Sequence, residues 1–208
     1  DTRHFTPAQK DQSLQKRLGV SDSPVIISLR SLNPVYDVET SIKAVALVSK
    51  KFPNVKFIIA GDGTQKNYLR DLAESLGILD RLLFVGQITH SELPNYLALA
   101  DVYVATPLSE GGVSVSAMEA MACGLPVVTT DVGDNRTWIE EGINGFIVPV
   151  KSPETLASKI IYLVENEAVR RKFAQANRQK IVEQADYATE MGKMESLYKG
   201  LIDEIRQK

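Results

Sequence analysis

The sequence predicts an α/β fold: six short parallel strands in a doubly wound sheet, helices on both faces, and extra helices at the C-terminal end. Three observations predict it. Short apolar runs recur along the chain with helix-like segments between them. Several of these runs are apolar on successive residues rather than on alternate ones, which suits strands covered on both faces, as in a parallel sheet. After the last run only helical spacing continues.

The elements follow in order. "PVIISLR" from residue 24 reads as the first strand, and Val38, Ile42, Val45, Ser49 and Phe52 then fall on one helical stripe. "VKFIIAG" from 55 is the second strand. Tyr68, Leu72 and Leu76 mark the next helix, with Gly77 as its C-cap. "LLFVG" from 82, "DVYVATP" from 101, "PVVTT" from 126 and "GFIVP" from 145 complete six strands. Repeated strand–helix units require right-handed crossovers, hence a Rossmann-like sandwich whose ligands sit at the carboxyl ends of the strands near a switch in strand order. "SPETLASKIIYLVEN" then starts a helix with Ser152 as N-cap and Pro153 in its first turn. The final segment spaces Met191, Met194, Leu197, Tyr198, Leu201 and Ile205 on one helical face, which docks either on this domain or on something outside it.

Bulk properties narrow the function. The 208 residues are 44% hydrophobic, enough for one domain with a real core, and the net charge is −2. No basic field is present to neutralise a phosphate backbone, so nucleic acid is not an expected partner. A lone cysteine, Cys123, cannot form an internal disulfide and reads as a small buried residue. With no leader-like or long apolar stretch near residue 1, the expected location is the cytoplasm. "RRKFAQANRQKIV", residues 170–182, holds five basic residues and no acid; it is either a solvated helix face or a contact to an anionic membrane surface. His4 and His90 lack metal-ligand spacing, and no metal is expected.

Candidate chemistry gathers at strand ends. Arg30 closes the first strand, Asp62 lies inside "AGDG", and Glu110 follows the fourth strand. An arginine there needs anionic partners: a phosphate, matched by the guanidinium fork, or an internal carboxylate such as Asp37 or Glu39. "GDG" at 61–63 suits a tight turn into a helix, and by itself carries little more. "SEGGVSVSAMEAMACGLPVVTT", from 109 to 130, sets Glu110 and Glu119 on either side of a Gly-Gly turn that leads into a helix. Amides at a helix entrance favour an anion, whereas carboxylates suit hydroxyls, so a phosphate-bearing sugar or nucleotide satisfies both. Glu119 has two readings: the far end of a capping box with Ser116, or an acceptor for a ribose diol.

Taken in order, "FIIAGDG", "FVGQI", "LADVYVATP", "SEGG", "EAMACGLPVVTTDVG" and "EEGINGFIVP" resemble the C-terminal, donor-binding half of retaining group 1 (family 4) glycosyltransferases of the GT-B fold. The resemblance covers nearly the whole chain, and "DTRHFTP" at its start is similar to that family's interdomain linker. It implies that residues 1–208 form a nucleotide-sugar-binding domain whose partner, an N-terminal acceptor domain, is missing from this chain. It implies a nucleoside diphosphate sugar as donor substrate, no cofactor, and peripheral membrane contact if the acceptor is a lipid. Carried over by position, it makes Arg30 a diphosphate ligand and Glu110 a sugar ligand, the two residues expected to act in catalysis. Gly61 and Gly63 join the donor site, Gln87 and Ile88 offer backbone to the base, Gly111, Gly112, Val113 and Ser114 present amides to sugar and phosphate, and Glu119 holds the ribose.

Two departures stand out. The family's paired glutamates have seven residues between them, whereas eight lie between Glu110 and Glu119, so a gapless match places Gly111 at the first glutamate and Glu110 reaches the sugar only through a bulged turn. Where many members carry a lysine six residues beyond the arginine, this chain has Tyr36, which brings no charge; Lys66 is a candidate replacement. The alternatives to a transferase are a sugar-nucleotide epimerase of the same fold and a non-catalytic nucleotide-binding module.

Overall fold

The computed structural model describes residues 1–208 apart from Val113, Gln207, Lys208 and the side chain of Glu204. Six strands form one sheet: β1 (Val25–Ser28), β2 (Lys56–Ala60), β3 (Leu82–Gly86), β4 (Val102–Ala105), β5 (Val127–Thr130) and β6 (Gly145–Val148). Every pairing is parallel and the strand order is β3-β2-β1-β4-β5-β6. Nine α-helices among the described residues accompany them: α1 (Gln12–Leu18), α2 (Val38–Val48), α3 (Lys66–Ser75), α4 (Leu93–Leu99), α5 (Val115–Ala122), α6 (Asn135–Trp138), α7 (Pro153–Glu165), α8 (Glu167–Gln184) and α9 (Tyr187–Arg206). All six predicted strands are present, each within about a residue or two of its apolar run.

The continuous apolar runs are explained by burial on two sides. Ile26, Phe57, Ile59, Val102 and Val104 face a core shared with Ile42 and Val45 of α2, Leu69 of α3 and Ile160 of α7. Their neighbours Val25, Ile27, Ile58 and Tyr103 point into a second core with Leu97 of α4, Met121 of α5 and Ile181 of α8. The period-two alternation of strand side chains thus feeds two cores instead of one core and solvent. Cys123 lies buried in the second core, and the cost of burying a thiolate pushes its thiol up to about 12.

One expectation about the helices needs correction, and two are made more specific. On α3 the buried residues are Leu69 and Ala73, while Tyr68 and Leu76 are exposed; the Tyr68 hydroxyl instead donates to Glu39 at 2.7 Å. A ten-residue helix at a sheet edge buries a narrow stripe, and a phenol has a use in water that an aliphatic chain lacks. Ser152 does occupy the N-cap of α7, but its hydroxyl donates back to the Val150 carbonyl and makes no cap bond. The apolar face predicted for α9 is present and unburied, with Leu197, Tyr198 and Ile205 well over half exposed.

Strand order reverses between β1 and β4, so their carboxyl ends open the crevice in which this class of fold holds ligands. The loop after β1 is braced from behind by the turn after β2. Leu32 N–H donates to the Asp62 carbonyl and Gln65 N–H to the Leu32 carbonyl. The fit is so close that a Cβ at Gly61 would lie 2.2 Å from the Arg30 carbonyl oxygen, and one at Gly63 2.5 Å from Leu32 backbone. "GDG" is therefore a packing turn that sets the position of residues 30–32.

Candidate functional site

At the carboxyl ends of β1, β2 and β3 opens a cavity of about 320 Å³, walled by Arg30, Gly61, Gln87, Ile88 and Glu119 among the expected residues, together with Asp62 and Ser116. Gly63 does not line it. Glu110, Gly111, Gly112 and Ser114 lie on the adjoining turn, and Val113 falls outside the described residues.

Arg30 is the centre of the arrangement. Its side chain is only 8% exposed. Nη1 donates to Ser114 Oγ at 2.8 Å and to Ser116 Oγ at 3.3 Å. Nη2 lies 2.9 and 2.8 Å from the two carboxylate oxygens of Glu110. Its face rests on the Tyr36 ring, with Cζ 4.3 Å from the ring centroid. Buried Nε has no hydrogen-bond partner among the described residues. The internal carboxylate is thus neither of those expected: Asp37 accepts from Thr40 at 2.7 Å and Glu39 pairs with Lys43. Asp37 and Glu39 belong to the start of α2, whereas Glu110, on the turn after β4, reaches the Arg30 guanidinium at the end of β1.

The two Arg30 partners on α5 decide the capping question. The N-cap is Ser114, whose Oγ accepts from Ala117 N–H at 3.4 Å. Ser116 is already inside the helix, so Ser116 and Glu119 cannot form a capping box. Its hydroxyl is used elsewhere, 2.7 Å from the Tyr103 hydroxyl, a fully buried phenol pushed up to about 12 by desolvation. Glu119, one turn along, is mostly buried at 17% exposure and accepts no hydrogen bond among the described residues; His90 Nε2 is 3.8 Å away. Loss of hydration raises its carboxyl above the ordinary value, an effect that His90 offsets in part. A carboxylate left unbonded on a cavity wall is an acceptor in want of donors.

The remaining candidates separate cleanly. Lys66 pairs with Asp62 at 2.9 Å and so sits beside the cavity, already partnered. His90 stacks on His4, whose Nε2 is 2.9 Å from the His90 carbonyl; this contact joins the N-terminal segment to the loop after β3. Glu119 also borders a larger cavity, about 630 Å³, between Phe5, Met118, Trp138 and Tyr187. No group of three or more metal-ligating side chains gathers among the described residues, and no helix among them is long and apolar enough to cross a membrane.

The basic run on α8 is mostly spent within the fold. Arg170 donates to the Leu163 and Val164 carbonyls at the end of α7, and Arg178 to those of Thr2, Phe5 and Ala122. Lys180 reaches the Thr137 carbonyl and Arg171 pairs with Glu167. Sequence reasoning missed the uses of Arg178 and Lys180 because their partners are backbone oxygens far along the chain. It missed Tyr103 and Ser116 as supports of Arg30 because only the assembled sheet brings these side chains together, although a phenol in an otherwise aliphatic strand is a visible signal.

Comparison with known proteins fits this geometry. The family described as glycosyl transferases group 1 matches residues 9–180. A GDP-mannose-dependent alpha-(1-6)-phosphatidylinositol monomannoside mannosyltransferase of Mycobacterium tuberculosis is 25% identical over 207 residues, 96% of this chain and 54% of that protein. The N-acetyl-alpha-D-glucosaminyl L-malate synthase of Bacillus anthracis is 27% identical over 186 residues, 89% of this chain and 48% of that protein. The chain thus spans about half the length of the curated relatives it matches. Among solved structures, Anabaena Alr3699/HepE in complex with UDP has a TM-score of 0.86 at 23% identity, covering 96% of this chain and 55% of that one. The C-terminal domain of LpcC, a glycosyl transferase group 1 family protein from Francisella tularensis, has a TM-score of 0.78 at 24% identity, covering 90% of this chain and 98% of that one. At those identities the structural likeness shows the fold. With residues 9–180 matched by that family, the chain belongs to the group 1 glycosyl transferases and has the fold of their C-terminal domain.

Proposed function

We propose that this domain holds the nucleoside diphosphate sugar in a retaining sugar transfer to an acceptor bound by a second, N-terminal domain. The observation that carries this reading is Arg30: a buried guanidinium whose Nε has no partner among the described residues, at the switch in strand order and beside the N-terminal turn of α5. Departure of the nucleoside diphosphate builds negative charge on the leaving phosphate. A fixed arginine and the free amides of a helix start stabilise such charge without reorganising. Glu119 receives the ribose hydroxyls, the backbone of Gln87 and Ile88 meets the base, and Gly111, Gly112, Val113 and Ser114 offer amides to sugar and phosphate. Glu110 meets the sugar. Gly61 and Gly63 act indirectly, by fixing the loop that carries Arg30.

The acceptor site belongs to the other domain. Relatives are about twice as long, and the exposed apolar face of α9 supports a docking surface for the additional half. If the acceptor is a lipid, as the name of the mycobacterial relative states for that enzyme, membrane contact comes from elsewhere than residues 170–182, whose cations are largely engaged internally. Two measurements test the proposal. Calorimetry with UDP, GDP and the corresponding nucleosides should show binding that depends on the diphosphate. The 208-residue chain alone should transfer no sugar to any acceptor; measurable transfer overturns the two-domain reading.

A further inference from the structure

The four sides of the Arg30 guanidinium are unequally committed. One face is covered by Tyr36, and Nη1 is held by Ser114 and Ser116, the latter backed by buried Tyr103. These contacts come from three separate elements and fix the group. The Nη2 edge is held only by Glu110, and the Glu110 carboxylate has no other hydrogen-bond partner among the described residues. That carboxylate is followed by Gly111, around which a Cβ would meet nothing within 4 Å, but the turn backbone is held by close packing of Gly133 on the Glu110 and Gly112 carbonyls and by Asp134 N–H donating to the Gly112 carbonyl at 3.3 Å, so the freedom to leave Arg30 is that of the Glu110 side chain. The free site is therefore charge-balanced, with an anion of its own where an incoming anion would bind.

We propose that Glu110 stands in for the donor diphosphate. It occupies Arg30 in the free domain, is displaced when phosphate oxygens take the Nη2 edge, and is thereby released toward the sugar side of the cleft. Tyr36 is the positioning residue of this exchange: its ring holds the guanidinium plane while one anion replaces the other. A partnered buried arginine avoids the cost of an uncompensated charge, and the exchange keeps it partnered throughout. The inference rests on the diphosphate reading of the site and adds the prediction that an acidic residue of the site opposes ground-state binding.

The test is titration of the 208-residue chain and its variants with inorganic pyrophosphate, UDP and uridine, each variant checked for folding by its thermal transition. Glu110→Gln should bind pyrophosphate and UDP at least fivefold more tightly than wild type, with uridine unchanged. Glu110→Asp, which keeps the charge on a shorter stem, should tighten both in the same sense and serves if the Gln variant does not fold. Tyr36→Phe should match wild type, and Tyr36→Leu should weaken both phosphate ligands about three- to thirtyfold, the range of cation–π contacts from exposed to desolvated. That loss should vanish in an Arg30→Ala background. Equal or weaker pyrophosphate binding by the Glu110 variants overturns the stand-in role, and a Tyr36→Leu loss that persists without Arg30 overturns the positioning role. Absence of UDP and pyrophosphate binding by wild type would instead overturn the diphosphate reading itself, and this inference with it.

Discussion

Replacing Glu119 by glutamine separates binding from stability at one atom pair. The residue lies inside α5 and its carboxylate accepts no hydrogen bond among the described residues, so the change removes charge and one acceptor while disturbing no structural bond. If the carboxylate receives two ribose hydroxyls, each bond is charge-assisted, and losing that assistance costs about 1.5–3 kcal/mol. At 1.4 kcal/mol per decade the affinity for UDP or GDP falls by about one to two decades. Stability moves the other way. The Glu119 carboxyl titrates above its unfolded value of about 4.3 because burial strips its hydration, so the folded state binds the extra proton. The wild type therefore loses stability as pH rises from about 4 through the raised folded value, and the loss persists at neutral pH. Glutamine has no such titration. The variant should match wild type in urea unfolding near pH 4 and be equal or slightly more stable, within about 0.5 kcal/mol, at pH 7. Calorimetry with UDP and with its 2′,3′-dideoxy analogue completes the cycle: wild type should lose affinity for the analogue, and the variant should lose little more. Undiminished UDP affinity in the variant would refute the assignment of ribose to Glu119.

Arg30→Ala should weaken UDP binding by about 1.5–3 kcal/mol while leaving uridine binding nearly unchanged; equal losses for both ligands in calorimetry would make Arg30 purely structural. Gly61→Ala sets a methyl group 2.2 Å from the Arg30 carbonyl at φ +149. Overpacking and an unfavourable dihedral together should cost about 2–6 kcal/mol in urea unfolding, and a loss under about 1 kcal/mol would show that the loop yields. Asp186 accepts from Thr2 N–H at 3.1 Å and Thr2 Oγ1 at 2.5 Å, bonds that hold its carboxyl far below the usual range. This anchor is present above the unfolded value of about 3.9 and is lost as pH falls through the lower folded value. Amide exchange at Thr2 should accelerate at neutral pH in Asp186→Ala, while the Phe5 end stays held by Arg178, and unchanged exchange would contradict the anchor.

Some of this protein is decided by local pattern. Runs such as "VII" and "VYVA" are apolar on successive residues, which leaves no polar face for solvent, so a sheet covered on both sides follows from the sequence alone. Strand–helix alternation then forces parallel crossovers, and an arginine or a glycine turn at a strand's end marks the ligand edge. The stripe on α3 was misread because alternative stripes of a short helix differ only in which one meets the sheet, a fact held by the neighbouring strands. The N-cap of α5 lies at Ser114 and not at Ser116 as the capping-box spacing suggests; the two serines are chemically alike and two residues apart. Only the approach of Arg30 and Tyr103 from the ends of β1 and β4 shows what each hydroxyl does: Ser114 caps the helix and also meets the guanidinium at 2.8 Å, whereas Ser116 links the guanidinium to the Tyr103 hydroxyl. The ion pair between Arg30 and Glu110 joins residues 80 positions apart across the switch in strand order. No spacing rule reaches across such a gap. Periodicity records which face of an element is apolar, whereas partners of a buried charge are chosen by whatever the assembled layers bring within 3 Å of it.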